Sequence, residues 1–216
     1  MITVLIGKSA SGKDTVLKEL LKHSFEPIVT FTTRPKREGE TNGVEYNFVN
    51  EKDFKELDLL EKREYNTAKG IWYYGMPKVD IDKNYAVILD INGTNKLIDY
   101  YGKDKVLPVY LECPLSVREK RAMQRGSFNK KEWDRRAIAD EIDLDITKLK
   151  ETTNSLLYCT DNDFLNNCNN PLFIEPVTTP TEIADSISYY ANLIEKSINP
   201  SIDNANYESP DIDITD

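Results

Sequence analysis

A glycine-bounded loop, residues 7–15, separates a short apolar run from a helix-like stretch near the N-terminus. Gly7 opens the loop, and Gly12 with Lys13 closes it in the order Gly-x-x-x-x-Gly-Lys. Glycines let the backbone curl until successive N–H groups point inward, where the positive end of the following helix dipole also lies. The lysine adds a full charge. The spacing therefore predicts a P-loop that holds the phosphates of a nucleoside triphosphate.

The loop residues expected to contact the triphosphate are Gly7, Ser9, Ala10, Ser11, Gly12, Lys13, Asp14 and Thr15. Asp14 stands where such loops usually carry a metal-binding hydroxyl. Its carboxylate is a hard oxygen ligand that could hold Mg²⁺, and an acid is equally favoured at a helix N-terminus without any metal. Both interpretations of Asp14 stay open. Mg²⁺ is expected in either case, because the carboxylate would otherwise repel the triphosphate.

A second group of side chains suited to anions lies between residues 32 and 49. Arg34 and Arg37 stand in a loop rich in Pro, Gly and charge, and Tyr46 follows in an aromatic stretch. Two guanidinium forks and a phenol suit a tetrahedral phosphate. Arginines in loops are more often solvated charges, but the spacing to Tyr46 and to a second tyrosine pair favours a site. Two phosphate cradles predict transfer of a phosphoryl group between them.

The elements that must position these groups alternate along the chain. Strands are predicted at residues 2–6, 27–31, 44–49, 85–90, 105–112 and 172–174, with a hairpin over 59–67 and 70–74. Helices are predicted over residues 16–23, 93–101, 114–125, 130–152 and 179–196, with another opening at Asn50. Capping-box patterns mark Asn50 and Thr179 as helix starts. The alternation favours an α/β fold whose parallel sheet brings the P-loop, the loop after Thr30 and Asp90 to one edge.

Composition narrows the class of protein. The chain of 216 residues suits one domain with an inserted subdomain. The net charge of −9 argues against nucleic-acid binding. No apolar run is long enough for a membrane span, and the run at residues 2–6 is expected to be a core strand rather than a signal sequence. Five acidic residues and no basic ones mark residues 197–216 as an acidic tail, which is predicted to be disordered.

Cysteine and histidine usage excludes other chemistries. Cys113, Cys159 and Cys168 lack the spacing of a metal site, which predicts a reduced, cytoplasmic compartment. His23 is the single histidine of the sequence. A zinc centre or a Ser-His-Asp mechanism is therefore not expected.

The pattern T-T-R-x-x-R-x-G-E-x-x-G-x-x-Y-x-F-V occupies residues 32–49, and Tyr73-Tyr74-Gly75 and Leu89-Asp90-Ile91 lie further along. With these motifs the chain resembles the guanylate kinases over roughly residues 2–195. The resemblance implies an α/β, P-loop NMP-kinase-like three-layer fold with a parallel central sheet, a small NMP-binding subdomain and a helical lid. It implies a core of residues 1–32 and 84–125, an NMP-binding subdomain of 33–83, a lid of about 126–140, a C-terminal core of 141–196 and the tail of 197–216.

The activity implied by this resemblance is ATP-dependent phosphorylation of a nucleoside monophosphate, GMP or dGMP, to the diphosphate, with Mg²⁺. The acceptor phosphate would be gripped by Arg34, Arg37, Tyr46 and Tyr74. Lys13 would hold the ATP phosphates, and Asp90 would lie near the metal and the acceptor. The arginines that would close over the transferring group are Arg121, Arg125 and either Arg135 or Arg136. Small-molecule nucleotides are the expected partners, and monomer or homodimer stays open.

Recognition of the base matches the family less well. The resemblance assigns the base to the Thr30 hydroxyl, Glu64 and the position of Asn92, and it places Gly75 among the residues that bind the nucleoside monophosphate. Where the family has a hydroxyl after Tyr-Gly, this chain has Met76, which cannot donate to a guanine carbonyl and is expected to be a core or rim side chain. Asn92 replaces an acid and keeps only a neutral acceptor. These departures leave open a kinase for ribose 1,5-bisphosphate or another dNMP. A non-catalytic protein-binding module is disfavoured by the intact P-loop and lid arginines.

Overall fold

The structure is a computed structural model that describes residues 1–67, 70–124, 128–150, 156–159, 173–175 and 179–198. Its strands are β1 (Ile2–Ile6), β2 (Phe25–Pro27), β3 (Phe31–Thr32), β4 (Asn47–Phe48), β5 (Leu59–Thr67), β6 (Gly70–Pro77), β7 (Asn84–Ile88), β8 (Val106–Glu112), β9 (Leu156–Cys159) and β10 (Phe173–Glu175). Its helices are α1 (Lys13–Leu20), α2 (Glu51–Glu56), α3 (Ile91–Tyr101), α4 (Leu115–Met123), α5 (Lys130–Asp143) and α6 (Pro180–Ile198), with a 3₁₀ turn at Ile146–Lys148.

Six strands form one parallel sheet in the order β10-β9-β8-β1-β7-β2. All five residues of β1 are buried, as expected of a central strand covered on both faces. Leu5 packs in a cluster with side chains of α1 and α6, whereas Val4 and Ile6 pack in another with side chains of α3. Helices thus cover both faces of the sheet, and the predicted three-layer α/β architecture is confirmed.

A smaller sheet, β4-β3-β6-β5, branches from the first. The strand predicted over residues 27–31 is wrong, because the chain leaves the parallel sheet after Pro27 and joins the second sheet at Phe31. The strand predicted over 44–49 is also too long. Gly43 has φ 83° and donates to Tyr46 O at 2.9 Å, so a turn occupies the first half of that segment.

Local capping interactions mark several helix starts. Asn50 accepts a hydrogen bond from Asp53 N at 2.9 Å, and Asp90 accepts one from Gly93 N at 2.9 Å. Thr179 Oγ1 accepts from Glu182 N at 3.3 Å while Glu182 accepts from Thr179 N at 2.9 Å. The predicted caps at Asn50 and Thr179 are confirmed, because such contacts depend on neighbours three residues apart.

The helix predicted over residues 130–152 is wrong in its length. α5 ends at Asp143, and Asp145 then caps the 3₁₀ turn by accepting from Thr147 N at 3.1 Å. β9 (Leu156–Cys159) lies in a stretch to which the sequence patterns assigned no element. Arg125 and the tail beyond residue 198 lie outside the described residues. Within the described part of the chain, no helix combines the length and the apolar character that a membrane crossing needs.

Candidate phosphate-transfer site

The loop of residues 7–15 leaves the carboxyl end of β1 at the middle of the parallel sheet. Gly7 and Gly12 have φ values of 153° and 109°, and a Cβ on Gly7 would lie 2.6 Å from Leu111 O. Both positions therefore need glycine. Ala10 also adopts the left-handed region, at φ 63°. The loop is held against β8 and opens directly into the N-terminus of α1, as an anion-binding loop requires.

The charged end of Lys13 lies over the opening of the loop. Its Nζ donates to Gly7 O at 2.6 Å and to Lys8 O at 3.0 Å. Asp14 and Thr15 follow on the first turn of α1, and both are exposed. The loop mouth therefore presents one ammonium group, one carboxylate and one hydroxyl on the same turn.

Two arginines of α4 contact the loop from the side. Arg121, which the resemblance assigns to the transferring phosphoryl group, donates from Nη1 to Ser11 O at 3.0 Å. Arg118 is buried; its Nη1 donates to Ser9 O of the loop at 3.4 Å, and its Nε donates to Cys113 O at 2.9 Å. Arg118 was not among the residues predicted from the sequence, although its spacing three residues before Arg121 puts both on one helix face.

The C-terminal half of α5 is fastened to the same loop. Asp140 accepts from Ser9 N at 2.6 Å and from Ser9 Oγ at 3.2 Å. Lys8 Nζ lies 2.8 Å from Glu141 Oε1. These contacts join residues more than 130 positions apart, and no local pattern indicated them.

Arg135 and Arg136, the two alternatives for one lid arginine, lie elsewhere in this structure. Arg135 Nη2 and Arg136 Nε each lie 2.9 Å from Glu132 Oε1, and both arginines are exposed. The hydrogen bond from Arg135, together with that from Arg136, lowers the pKa of Glu132 to about 2. The structure thus brings Arg121 to the loop and leaves Arg135 and Arg136 paired with Glu132.

The second anion site stands on the smaller sheet. Arg34 is buried, and its fork meets the Glu40 carboxylate at 2.7 and 3.0 Å. Its guanidinium also lies 5.2 Å from the Tyr46 ring centroid. Arg37 is exposed, and within the described residues its guanidinium makes no recorded hydrogen bond or ion pair. In this state Arg34 stabilises the loop through its ion pair with Glu40, whereas the guanidinium of Arg37 faces solvent.

Tyrosine rings form one wall of this site. The rings of Tyr46 and Tyr74 meet edge-on with centroids 5.8 Å apart. Thr33 N donates to Tyr73 O at 3.0 Å, and Thr33 Oγ1 accepts from Tyr73 N at 2.9 Å, which ties the arginine loop to β6. Burial raises the pKa of Tyr46 to about 12, with further contributions from Tyr74 and from the Asp14 carboxylate. Asp14 of the P-loop is therefore within electrostatic range of Tyr46.

The hairpin of β5 and β6 separates its side chains into two faces. Glu64 is paired with Tyr73, whereas Arg63 is paired with Tyr74 and Glu61 with Met76. Because side chains alternate along a strand, Glu64 projects to the opposite face from Tyr74. Glu64 was predicted to contact the base, whereas Glu61 and Arg63 were not predicted, although the two-residue period of the strand could have indicated them.

The remaining residues assigned to the acceptor have different surroundings. A Cβ on Gly75 would lie 3.0 Å from Phe54 Cζ, so this glycine lets α2 approach the sheet. Met76 has no exposed surface and packs in the core, which confirms the expectation that it is a core side chain. Asn92 is exposed, and Thr30 accepts a backbone hydrogen bond from Asn47 N at 2.8 Å. Asp90 caps α3 and also accepts from Tyr65 Oη at 3.2 Å.

Comparison with known proteins identifies the family to which this chain belongs. The model of the guanylate kinase family matches residues 1–147. The chain belongs to the guanylate kinase family. It is 39% identical to the guanylate kinase of Thermobifida fusca (strain YX) over 108 residues, which are 44% of this chain and 53% of that protein. It is 36% identical to that of Clostridium tetani over 138 residues, with coverage of 59% and 64%.

A third relative, the guanylate kinase of Clostridioides difficile (strain 630), is 32% identical over 145 residues, or 63% of this chain and 70% of the relative. The matched region thus spans 53% to 70% of the length of these family members. The crystal structure of guanylate kinase from Anaplasma phagocytophilum has a TM-score of 0.55 and 21% identity, with 91% of this chain and 85% of that chain covered. This likeness shows that the fold is shared.

The Arg34–Glu40 pair makes the stability of this family member depend on pH. The hydrogen bond from Arg34 lowers the pKa of Glu40. The pair therefore stabilises the folded state at pH values above the ordinary pKa of a glutamate, and this stabilisation is lost as the pH falls through the folded-state pKa of Glu40. We expect Glu40→Gln to be less stable than the wild type near neutral pH and to approach it below about pH 4. Urea unfolding across this range measures the difference, with Glu38→Gln, an exposed neighbour, as the control. A difference that stays constant with pH would contradict the prediction.

Proposed function

We propose that the protein transfers the γ-phosphoryl group of ATP to the phosphate of GMP or dGMP. The proposal depends chiefly on one observation: the fold carries two groups of side chains suited to phosphates, the glycine loop with Lys13 after β1 and the group of Arg37, Tyr46 and Tyr74 at the smaller sheet. Family membership supports the same reaction, since the relatives named above are guanylate kinases.

The reaction requires little covalent chemistry from the protein. Lys13 and the loop amides hold the donor phosphates, while Arg37 and the Tyr46 and Tyr74 phenols hold the acceptor. The acceptor phosphate is already an anion, so it needs no strong general base. The protein contributes by aligning the two phosphates and by neutralising charge on the oxygens of the transferring group.

The residues at the loop mouth suit Mg²⁺ bound together with ATP. Asp14 is exposed on the first turn of α1 beside Thr15, and both offer oxygen ligands. Mg²⁺ is commonly held by one or two carboxylates together with substrate phosphates. No cluster of three or more acidic, His or Cys side chains suited to a metal is found among the described residues, so the nucleotide would supply much of the coordination. The bound ion would neutralise phosphate charge.

We propose the division into a core, an NMP-binding subdomain of residues 33–83 and a lid of about 126–140. In this scheme Arg121 is already at the loop, and Arg135 or Arg136 exchanges Glu132 for the transferring phosphoryl group as the lid closes. Closure would exclude water that otherwise hydrolyses ATP. We also propose a cytoplasmic location, for which the buried thiol of Cys113 is a supporting observation.

A substrate panel tests this function. ATP, Mg²⁺ and the protein are assayed with GMP, dGMP, dTMP and ribose 1,5-bisphosphate, and we expect the highest kcat/KM with GMP or dGMP. Turnover of the sugar bisphosphate alone would instead support the kinase that the core position of Met76 and the exposed Asn92 keep open. Failure to bind ATP in calorimetry would support a non-catalytic module.

A further inference from the structure

A compact group of charged side chains lies on the Tyr74 face of the β5–β6 hairpin. Arg63 forms an ion pair with Asp90, and its Nε lies 3.4 Å from Glu61 Oε1. Lys96 Nζ of α3 is 3.5 Å from the same Glu61 oxygen. The side chains of Glu61, Arg63 and Asp90 are only 5%, 18% and 14% exposed. Charges at this depth are held in fixed positions by one another, since each would be costly to bury alone.

This group lies next to the proposed acceptor phosphate site. Arg63 is paired with Tyr74 across the hairpin. The Tyr74 ring contacts Tyr46 on one side, at 5.8 Å, and Tyr65 on the other, at 5.4 Å between centroids. Tyr65 in turn accepts from Arg63 Nη1 at 2.9 Å. A nucleotide with its phosphate at Tyr46 and its base along Tyr74 therefore directs the base toward Arg63.

The guanidinium of Arg63 keeps donors for such a base. Of its five N–H groups, Nε faces Glu61, and Nη1 serves Tyr65 and Asp90. No hydrogen bond from Nη2 to another described residue is found. The N–H groups of Nη2 suit the O6 carbonyl oxygen of guanine, which is a hydrogen-bond acceptor. Met76, on the same face, is sealed in the core and has no N–H or O–H to offer.

We propose that Arg63 determines base specificity by donating a hydrogen bond from Nη2 to O6 of the guanine acceptor. The inference rests on the proposed function and adds to it the residue that reads this edge of the base. Glu61 and Asp90 hold the guanidinium in position before the nucleotide arrives, so little ordering is required on binding.

The test compares two acceptors in wild type, Arg63→Ala and Arg63→Lys. GMP carries O6, whereas 2-aminopurine riboside 5′-monophosphate carries hydrogen at that position. We expect Arg63→Ala to lower kcat/KM for GMP by about 10- to 100-fold and to lower that for the analogue by less than about 3-fold. Arg63→Lys keeps the charge beside Glu61 and Asp90 but not the planar guanidinium, so its kcat/KM for GMP should lie between those of the wild type and of Arg63→Ala.

Lys62→Ala is the matched control, because Lys62 is an exposed cation on the other face of β5. Lys62→Ala should leave kcat/KM unchanged for both acceptors. An equal loss on both acceptors in the Arg63 variants would show a purely structural role for Arg63 and would overturn the inference. If thermal unfolding shows that Arg63→Ala does not fold, Arg63→Lys is tested by competition binding of the two nucleotides. A loss of affinity for GMP larger than the loss for the analogue would then support the inference, and equal losses would overturn it. Absence of GMP turnover in the wild type would reject both the proposed function and this inference, whereas GMP turnover unaffected by Arg63 would reject the inference alone.

Discussion

Lys13→Ala is expected to lower kcat for phosphoryl transfer from ATP to GMP by about 10²- to 10³-fold. In the structure its ammonium group lies over the loop opening, bonded to Gly7 O and Lys8 O. When ATP is present, the same group can turn to the β- and γ-phosphate oxygens, where negative charge must be balanced during transfer. Steady-state kinetics with saturating GMP and varied ATP measures the loss.

Lys18→Ala is the control for this variant, because Lys18 is an exposed lysine one and a half turns further along α1. It removes the same charge at a distance from the loop and should leave kcat within about 2-fold of the wild type. Thermal unfolding of both variants checks that the fold is kept. Wild-type kcat in Lys13→Ala, or an equal loss in Lys18→Ala, would remove Lys13 from its proposed role.

Arg37→Ala is expected to lower kcat/KM for GMP by about 10²-fold, through loss of charge-assisted hydrogen bonds to the acceptor phosphate. Arg37 is exposed, so its removal should leave the stability nearly unchanged. Arg34 differs, because it is buried against Glu40 and its loss would leave that carboxylate without its main partner. We therefore expect alanine substitutions of Arg34 and of Arg37 to give different phenotypes, although both residues belong to one motif.

Calorimetry with each nucleotide separates the effect on the acceptor from one on the donor. In Arg37→Ala the affinity for GMP should fall while the affinity for ATP stays near that of the wild type. Lys36→Ala, the neighbouring exposed cation, is the matched control and should bind both nucleotides normally. Unchanged GMP affinity in Arg37→Ala would exclude a direct contact with the acceptor phosphate.

The sequence alone determined those parts of the protein that depend on near neighbours. The P-loop occupies nine consecutive residues whose glycine conformations follow from the spacing of Gly7 and Gly12. The caps at Asn50 and Thr179 join groups three residues apart. The alternation of strands and helices was enough to predict the parallel sheet and the edge at which the functional loops meet.

Only the tertiary structure decided which charged groups meet. Arg34 was expected to grip a phosphate, but in this state its fork holds Glu40, whereas Arg37 faces solvent. The contact of Asp140 with Ser9 and the ion pair of Arg63 with Asp90 join distant parts of the chain. The sequence contains these residues without indicating their partners, because a contact between distant residues depends on how the sheets and helices pack, and that packing is a property of the whole chain rather than of any one segment.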